Sequence, residues 1–182
     1  FLSTRSGSAQ VHRISLTGGE AEQVTRLPLD AGVFAIAPDG QTLVVSMAVF
    51  PDCDTLACTV ERHAARAAEK RTGHLYTSLL VRHWDTWKDG TRNHLFAVPL
   101  ATGEPRDLMA GMDADCPTVP WGGPEDFTVS PDSRTVVFSA RNVGREEAWS
   151  TNFDLFAVPL DGSAKPTNLT ADNPAWDAQP AF

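Results

Sequence analysis

The sequence predicts an all-β fold of repeated four-stranded antiparallel units, interrupted by one short helical insertion. Three observations carry this expectation. Short runs alternate apolar and polar residues at period two, Gly and Pro number 13 each and punctuate those runs, and one run-and-turn pattern returns along the chain.

The alternating cores come first in the repeat. Gln10-Val11-His12-Arg13-Ile14-Ser15-Leu16, His94-Leu95-Phe96-Ala97-Val98-Pro99-Leu100 and Asp154-Leu155-Phe156-Ala157-Val158-Pro159-Leu160 share one pattern, and the last two are nearly identical. Each leads through a Gly-bearing turn (Gly18-Gly19, Gly103, Gly162) into a short strand, Gln23-Val24-Thr25, Asp107-Leu108-Met109 or Asn168-Leu169-Thr170. A second device appears twice: Ala37-Pro38-Asp39-Gly40 precedes Thr42-Leu43-Val44-Val45-Ser46, and Ser130-Pro131-Asp132-Ser133 precedes Thr135-Val136-Val137-Phe138-Ser139. Pro pre-sets φ near −65° at the second turn position, Asp caps the turn, and Gly or Ser closes it. Phe34, Phe127 and Phe182 stand just before these turns or, for Phe182, before an expected third.

One unit therefore reads strand, Pro-Asp turn, strand, loop, strand, Gly turn, strand. At about 40–50 residues that is the size of a β-propeller blade, and a sandwich of hairpins does not repeat its sequence at this length. The expected architecture is an incomplete propeller across 1–182, with blades at 1–46, 47–129 and 130–182 and an insertion at 51–76 in the middle one. Within that insertion, residues 59–71 have high helix propensity, and the chain is expected back in its strand at Leu79-Leu80-Val81. Phe1 opens inside a strand and Phe182 stops before the next turn, so the chain reads as an internal piece of a longer protein. Its open terminal units should pair with the missing blades or with a second copy.

Composition narrows the chemistry. With 182 residues the chain suits one domain, 42% hydrophobic and 21% charged residues fit a globular protein, and 23 acids against 15 bases give a net charge of −8. Nucleic-acid binding is disfavoured, and no apolar run reaches the about 18 residues of a membrane-spanning helix. No Gly-x-Ser-x-Gly elbow is present, so no catalytic residue is assigned. The five histidines lack metal-site spacing, and no metal or cofactor is expected. The acid pairs Asp52/Asp54, Asp113/Asp115 and Glu146/Glu147 read as solvated loop carboxylates, and Asn168-Leu169-Thr170 reads as a strand before it reads as a glycosylation site. Cys53 and Cys58 bracket four loop residues, close enough for a disulfide and hence an oxidising compartment. Reduced thiols are the alternative, and zinc lacks a second ligand pair. Cys116 is left unpaired.

Two polar–aromatic stretches stand out, Arg82-His83-Trp84-Asp85-Thr86-Trp87-Lys88-Asp89-Gly90 and Arg145-Glu146-Glu147-Ala148-Trp149-Ser150-Thr151-Asn152. Two Trp three residues apart cannot share one strand face, so one of them belongs to a turn. Either stretch serves packing, but a loop with two carboxylates and a Trp is also what a cationic group requires.

The Pro-Asp turn, Leu-Phe-Ala-Val-Pro-Leu core and Gly turn resemble the blades of TolB-type propellers and of the non-catalytic domain of prolyl oligopeptidase family serine peptidases. The two polar–aromatic stretches, with Pro51-Asp52-Cys53-Asp54, are similar to the acylaminoacyl-peptidase and dipeptidyl-peptidase V branch, and the resemblance covers essentially the whole chain. It implies a propeller that caps an α/β-hydrolase domain and admits short peptides, with that domain, the remaining blades and possible further copies as partners. It also implies a periplasmic or secreted location. Glu146, Glu147, Trp149 and Arg82 are the residues it implies for substrate contact, the acids reading a free α-amino group. The alternative is a non-enzymatic TolB-like propeller binding proteins of the cell envelope.

Overall fold

The computed structural model describes all residues, Phe1–Phe182. Three antiparallel sheets follow one another along the chain. The first holds β1 (Leu2–Ser3), β2 (Gln10–Arg13) and β3 (Glu22–Gln23). After it come β4 (Phe34–Ile36) and β5 (Thr42–Val49), then a helix, α1 (Leu56–Ala68), and a hairpin of β6 (Arg82–His83) and β7 (Thr86–Trp87). Strands β8 (Arg92–Pro99) and β9 (Arg106–Asp107) complete a second sheet in the order β4-β5-β8-β9. The third sheet has β10 (Phe127–Val129), β11 (Thr135–Ala140), β12 (Asp154–Pro159) and β13 (Thr167–Asn168), paired in chain order.

The sequence repeat reappears as a repeat of register. Thr42 faces Pro99 and Val45 faces Phe96 in the second sheet, while Thr135 faces Pro159 and Phe138 faces Phe156 in the third. Both Pro-Asp turns close with a residue in the left-handed region, Gly40 at φ 70° and Ser133 at φ 58°. The conformation suits Gly but is costly for Ser. The Ser133 N–H closes its own turn on the Ser130 carbonyl (2.8 Å), and its Oγ accepts the backbone N–H of Asp39 (3.0 Å), tying the two turns together.

Period-two alternation explains how the sheets stack. Leu43, Val45, Met47 and Val49 point from β5 toward the first sheet and form a core with Val11, Leu27, Phe96 and Val98. Val44, Leu95 and Ala97 point the other way, into a larger core with Phe127, Val136, Phe138, Phe156 and Val158 of the third sheet. The second sheet is therefore covered on both faces, whereas β12 alternates buried and half-buried residues.

Three sequence expectations are displaced. Strand pairing puts residues 34–49 in the second sheet and Phe127–Val129 in the third, so the unit boundaries do not fall at 46 and 129. The reason is that a strand entering a tight Pro-Asp turn pairs with the strand leaving it, and each sheet begins with that entering strand. The excursion also runs past the expected 51–76. Residues 79–81 form no sheet strand, the small hairpin pairs only with itself, and the chain rejoins β5 at Arg92. The helix begins at Leu56 rather than Thr59, because Thr55 caps it, its side chain accepting the Cys58 N–H at 3.2 Å.

Candidate functional site

The up-and-down order of strands gives the sheet stack two unlike ends. Tight turns at 37–41, 99–103, 130–134 and 159–162 occupy one. Long connections occupy the other: the 50–91 excursion, the segment between β9 and β10, and residues 141–153 between β11 and β12. Four tryptophans lie on these connections, and Trp176, on the segment after β13, stacks on Phe153 at the same end; each is more than half exposed, Trp84, Trp87, Trp121, Trp149 and Trp176 at 74, 59, 71, 69 and 58%. Trp is ordinarily well buried, so five exposed indoles mark this end as unusual. Trp84 meets Trp121 edge-on at 5.8 Å, and Trp87 stacks on Tyr76 at 5.9 Å.

A charged cluster sits beneath them. Arg92, the first residue of β8, donates from Nη1 and Nη2 to the two carboxylate oxygens of Glu147 (2.8 and 2.9 Å). Its Nε donates to Asp113 (2.7 Å), and Nη1 also donates to Asp115 (2.9 Å). Lys88, at the foot of the hairpin, donates to Glu147 at 2.6 Å, and the Arg141 guanidinium lies 3.6 Å from it. Three cations thus face three carboxylates. Asp115 also accepts the backbone N–H of Asn93 (2.8 Å).

Burial disfavours the charges of Arg92, Asp115 and Glu147, and pairing overrides it at two of the three. Burial alone would raise the Glu147 carboxyl, but the hydrogen bonds from Arg92 and Lys88 override it and hold the group down at about 2. Burial likewise opposes the Arg92 charge, yet its bonds to Glu147 and Asp113 and the charge of Asp115 push its pKa up. Asp115 shows the opposite balance, since burial outweighs the pull of Arg92 and raises its pKa.

The expected site residues divide accordingly. Residues Gly144–Ala148 form a 3-10 turn, and the Trp149 N–H closes it on the Glu146 carbonyl at 3.0 Å. Glu146 and Trp149 face solvent, while Glu147 points inward and is fully engaged. Arg82 is exposed, its guanidinium 5.4 Å above the Trp87 ring, and it bonds neither acid. The link between hairpin and turn is Lys88 instead. Trp84 is the indole that falls in the hairpin turn, at φ 53°.

Arg92 and Arg141 escape sequence reading, Lys88 enters it only within the first polar–aromatic stretch, and Asp115, read as a solvated loop acid, is instead paired with Arg92. Asp113 and Asp115 look alike in the chain, yet Asp113 is exposed and Asp115 is half-buried against Arg92. The available signal is an Arg opening the strand that rejoins the sheet, next to a polar segment.

Elsewhere, Cys53 and Cys58 form a disulfide with Cα atoms 5.6 Å apart, and Cys116 is buried. Asp52 pairs with Arg62 at 2.6 Å. Buried His94 bonds Asp107 (2.9 Å) and the Met112 carbonyl (3.1 Å). Asn168 is held within β13, donating to Asp154 at 2.8 Å.

No protein-family model matches the chain. It is similar along its whole length to dipeptidyl-peptidase 5 of Porphyromonas endodontalis, 27% identical over 186 aligned positions, and spans 26% of that protein. Dipeptidyl-peptidase 5 of Porphyromonas gingivalis is 32% identical over 118 residues, 63% of the chain and 17% of the relative. The chain thus spans about a quarter or less of these relatives' length. Among solved structures, the tricorn protease superposes on 94% of the chain with a TM-score of 0.53 at 13% identity, a likeness of fold that covers 12% of the protease.

Proposed function

We propose, starting from the full-length similarity to dipeptidyl-peptidase 5, that the chain is the non-catalytic β-propeller portion of a serine exopeptidase and helps admit and hold short peptides. The three stacked sheets are its blades, two with four strands and the first with three. No hydrolase elbow lies within the chain, so cleavage belongs to another domain of the same parent, and that domain and the remaining blades are its partners. The Cys53–Cys58 disulfide supports a periplasmic or secreted location.

The observation that carries the site is the unequal fate of two neighbouring carboxylates. Glu147 is neutralised by Arg92 and Lys88, whereas Glu146 is exposed beside Trp149 on the same short turn. A free carboxylate next to an indole suits the α-ammonium group of a peptide, by a charge-assisted hydrogen bond and contact with the aromatic face. Arg82, across the hairpin, suits a peptide carbonyl or carboxylate.

The test uses the full-length protein. Glu146→Gln is expected to raise KM for free-amine dipeptidyl substrates about tenfold, the lower end for a hydrogen bond to a charged group, and to leave N-blocked substrates unchanged. Equal effects on both substrate types would remove the assignment.

A further inference from the structure

We propose that Arg92 is the positioning residue of this site, fixing the Glu146–Trp149 turn through Glu147, the carboxylate that also takes Lys88 from the foot of the hairpin that carries Arg82. The inference rests on the substrate-contact reading above, but its structural half stands on geometry alone. Arg92 begins β8 opposite Val49, so it leaves the second sheet at the tryptophan-bearing end. Its guanidinium makes four hydrogen bonds to three carboxylates, on Asp113, Asp115 and Glu147. Two of them form a fork on Glu147, a geometry that a lysine cannot copy. Glu147 in turn takes the Lys88 ammonium, and Lys88 is one residue beyond β7. The third sheet, the second sheet and the hairpin therefore meet at one carboxylate.

The energetics favour a geometric role over a stabilising one. Arg92 and Glu147 side chains are each only 11% exposed. Replacing a buried ion pair with apolar residues often costs little stability, whereas a buried pair also fixes the direction of both side chains. Here the arrangement aims Glu147 inward, which leaves Glu146 outward on the five-residue turn and Trp149 outward at its end. Without Arg92, Glu147 loses its fork and the turn its anchor to the second sheet.

The experiment compares Arg92→Met, Arg92→Lys and Glu147→Gln in the full-length protein by two readouts. Hydrogen exchange of amides 146–150 reports the turn directly, since the Trp149 and Ser150 N–H groups both bond the Glu146 carbonyl. Exchange is expected to quicken about tenfold or more in Arg92→Met, with Arg92→Lys intermediate and the exchange of β11 and β12 unchanged. KM for free-amine dipeptidyl substrates should rise as it does in Glu146→Gln, with kcat retained. The double variant Arg92→Met/Glu147→Gln should be no worse than the worse single one, because both remove the same contact. Unaltered exchange in the turn overturns the proposal. Faster exchange with unchanged KM keeps the positioning role and overturns the substrate reading instead, so the two failures are distinguishable. If Arg92→Met does not fold, Arg92→Lys and Glu147→Gln carry the same comparison.

Discussion

Acid should undo the Glu147 cluster over a defined pH window. The Glu147 carboxyl sits at about 2 in the folded chain, against an ordinary value of 4.5. A folded pKa below the unfolded one contributes stability that is fully present above pH 4.5 and is lost as pH falls from there toward 2. The difference corresponds to about 3 kcal/mol at pH 7, and the 11% exposure of the side chain leaves solvent little room to screen it. Linkage places about 2 kcal/mol of this loss between pH 7 and pH 3, almost all of it below pH 5. Asp115 moves the other way, since its raised pKa makes its ionised form a burden that protonation relieves. Comparison with Glu147→Gln isolates the Glu147 share from the many other carboxylates that titrate over the same range. Urea unfolding followed by circular dichroism at pH 7, 5, 4 and 3 should show the stability gap between native protein and variant narrowing on acidification. A gap of equal size at pH 7 and pH 3, or one that widens, would refute the assignment of Glu147 as the depressed carboxyl of the cluster.

Two further outcomes test the frame that carries the site. Phe138 is fully buried between the second and third sheets and stacks on Phe156 at 5.6 Å, so Phe138→Ala should cost about 3–5 kcal/mol and lower Tm by about 10 °C, whereas exposed Trp149→Ala should stay within about 0.5 kcal/mol, both read by thermal unfolding. Alkylation followed by intact-mass measurement should find one reactive thiol, Cys116, and only after unfolding, with three appearing on reduction; loss of the short Cys53–Cys58 loop closure in Cys53→Ser should cost about 2 kcal/mol, and three free thiols without reductant would contradict the disulfide.

Local patterns made much of the fold legible in the chain. Alternation at period two marks β8 and β12 as strands, and β-branched runs after the Pro-Asp turns mark β5 and β11. The two Pro-Asp turns mark where β4 and β10 reverse into them, because Pro and Asp act on their own backbone and need no distant partner. The near-identity of the Leu95–Leu100 and Leu155–Leu160 segments anticipates the shared register of Thr42 with Pro99 and Thr135 with Pro159. The Cys53–Cys58 pairing is a local matter too, since a separation of five positions lets the chain entering α1 bring the two residues together, although the sequence leaves reduced thiols as an alternative.

Tertiary structure alone decided where one sheet ends and the next begins, and which of two adjacent glutamates is free. The sequence reading gives residues 34–46 to the first unit, whereas β5 finds β8 across the whole excursion and carries them into the second sheet. Glu146 and Glu147 are chemically identical in the sequence, as are Asp113 and Asp115. What separates the glutamates is an arginine 55 residues earlier in the chain, brought to Glu147 by the packing of one sheet on another. Strand and turn formation depend on neighbours along the backbone, whereas the charge state and direction of a carboxylate depend on burial and on which cation the fold delivers to it.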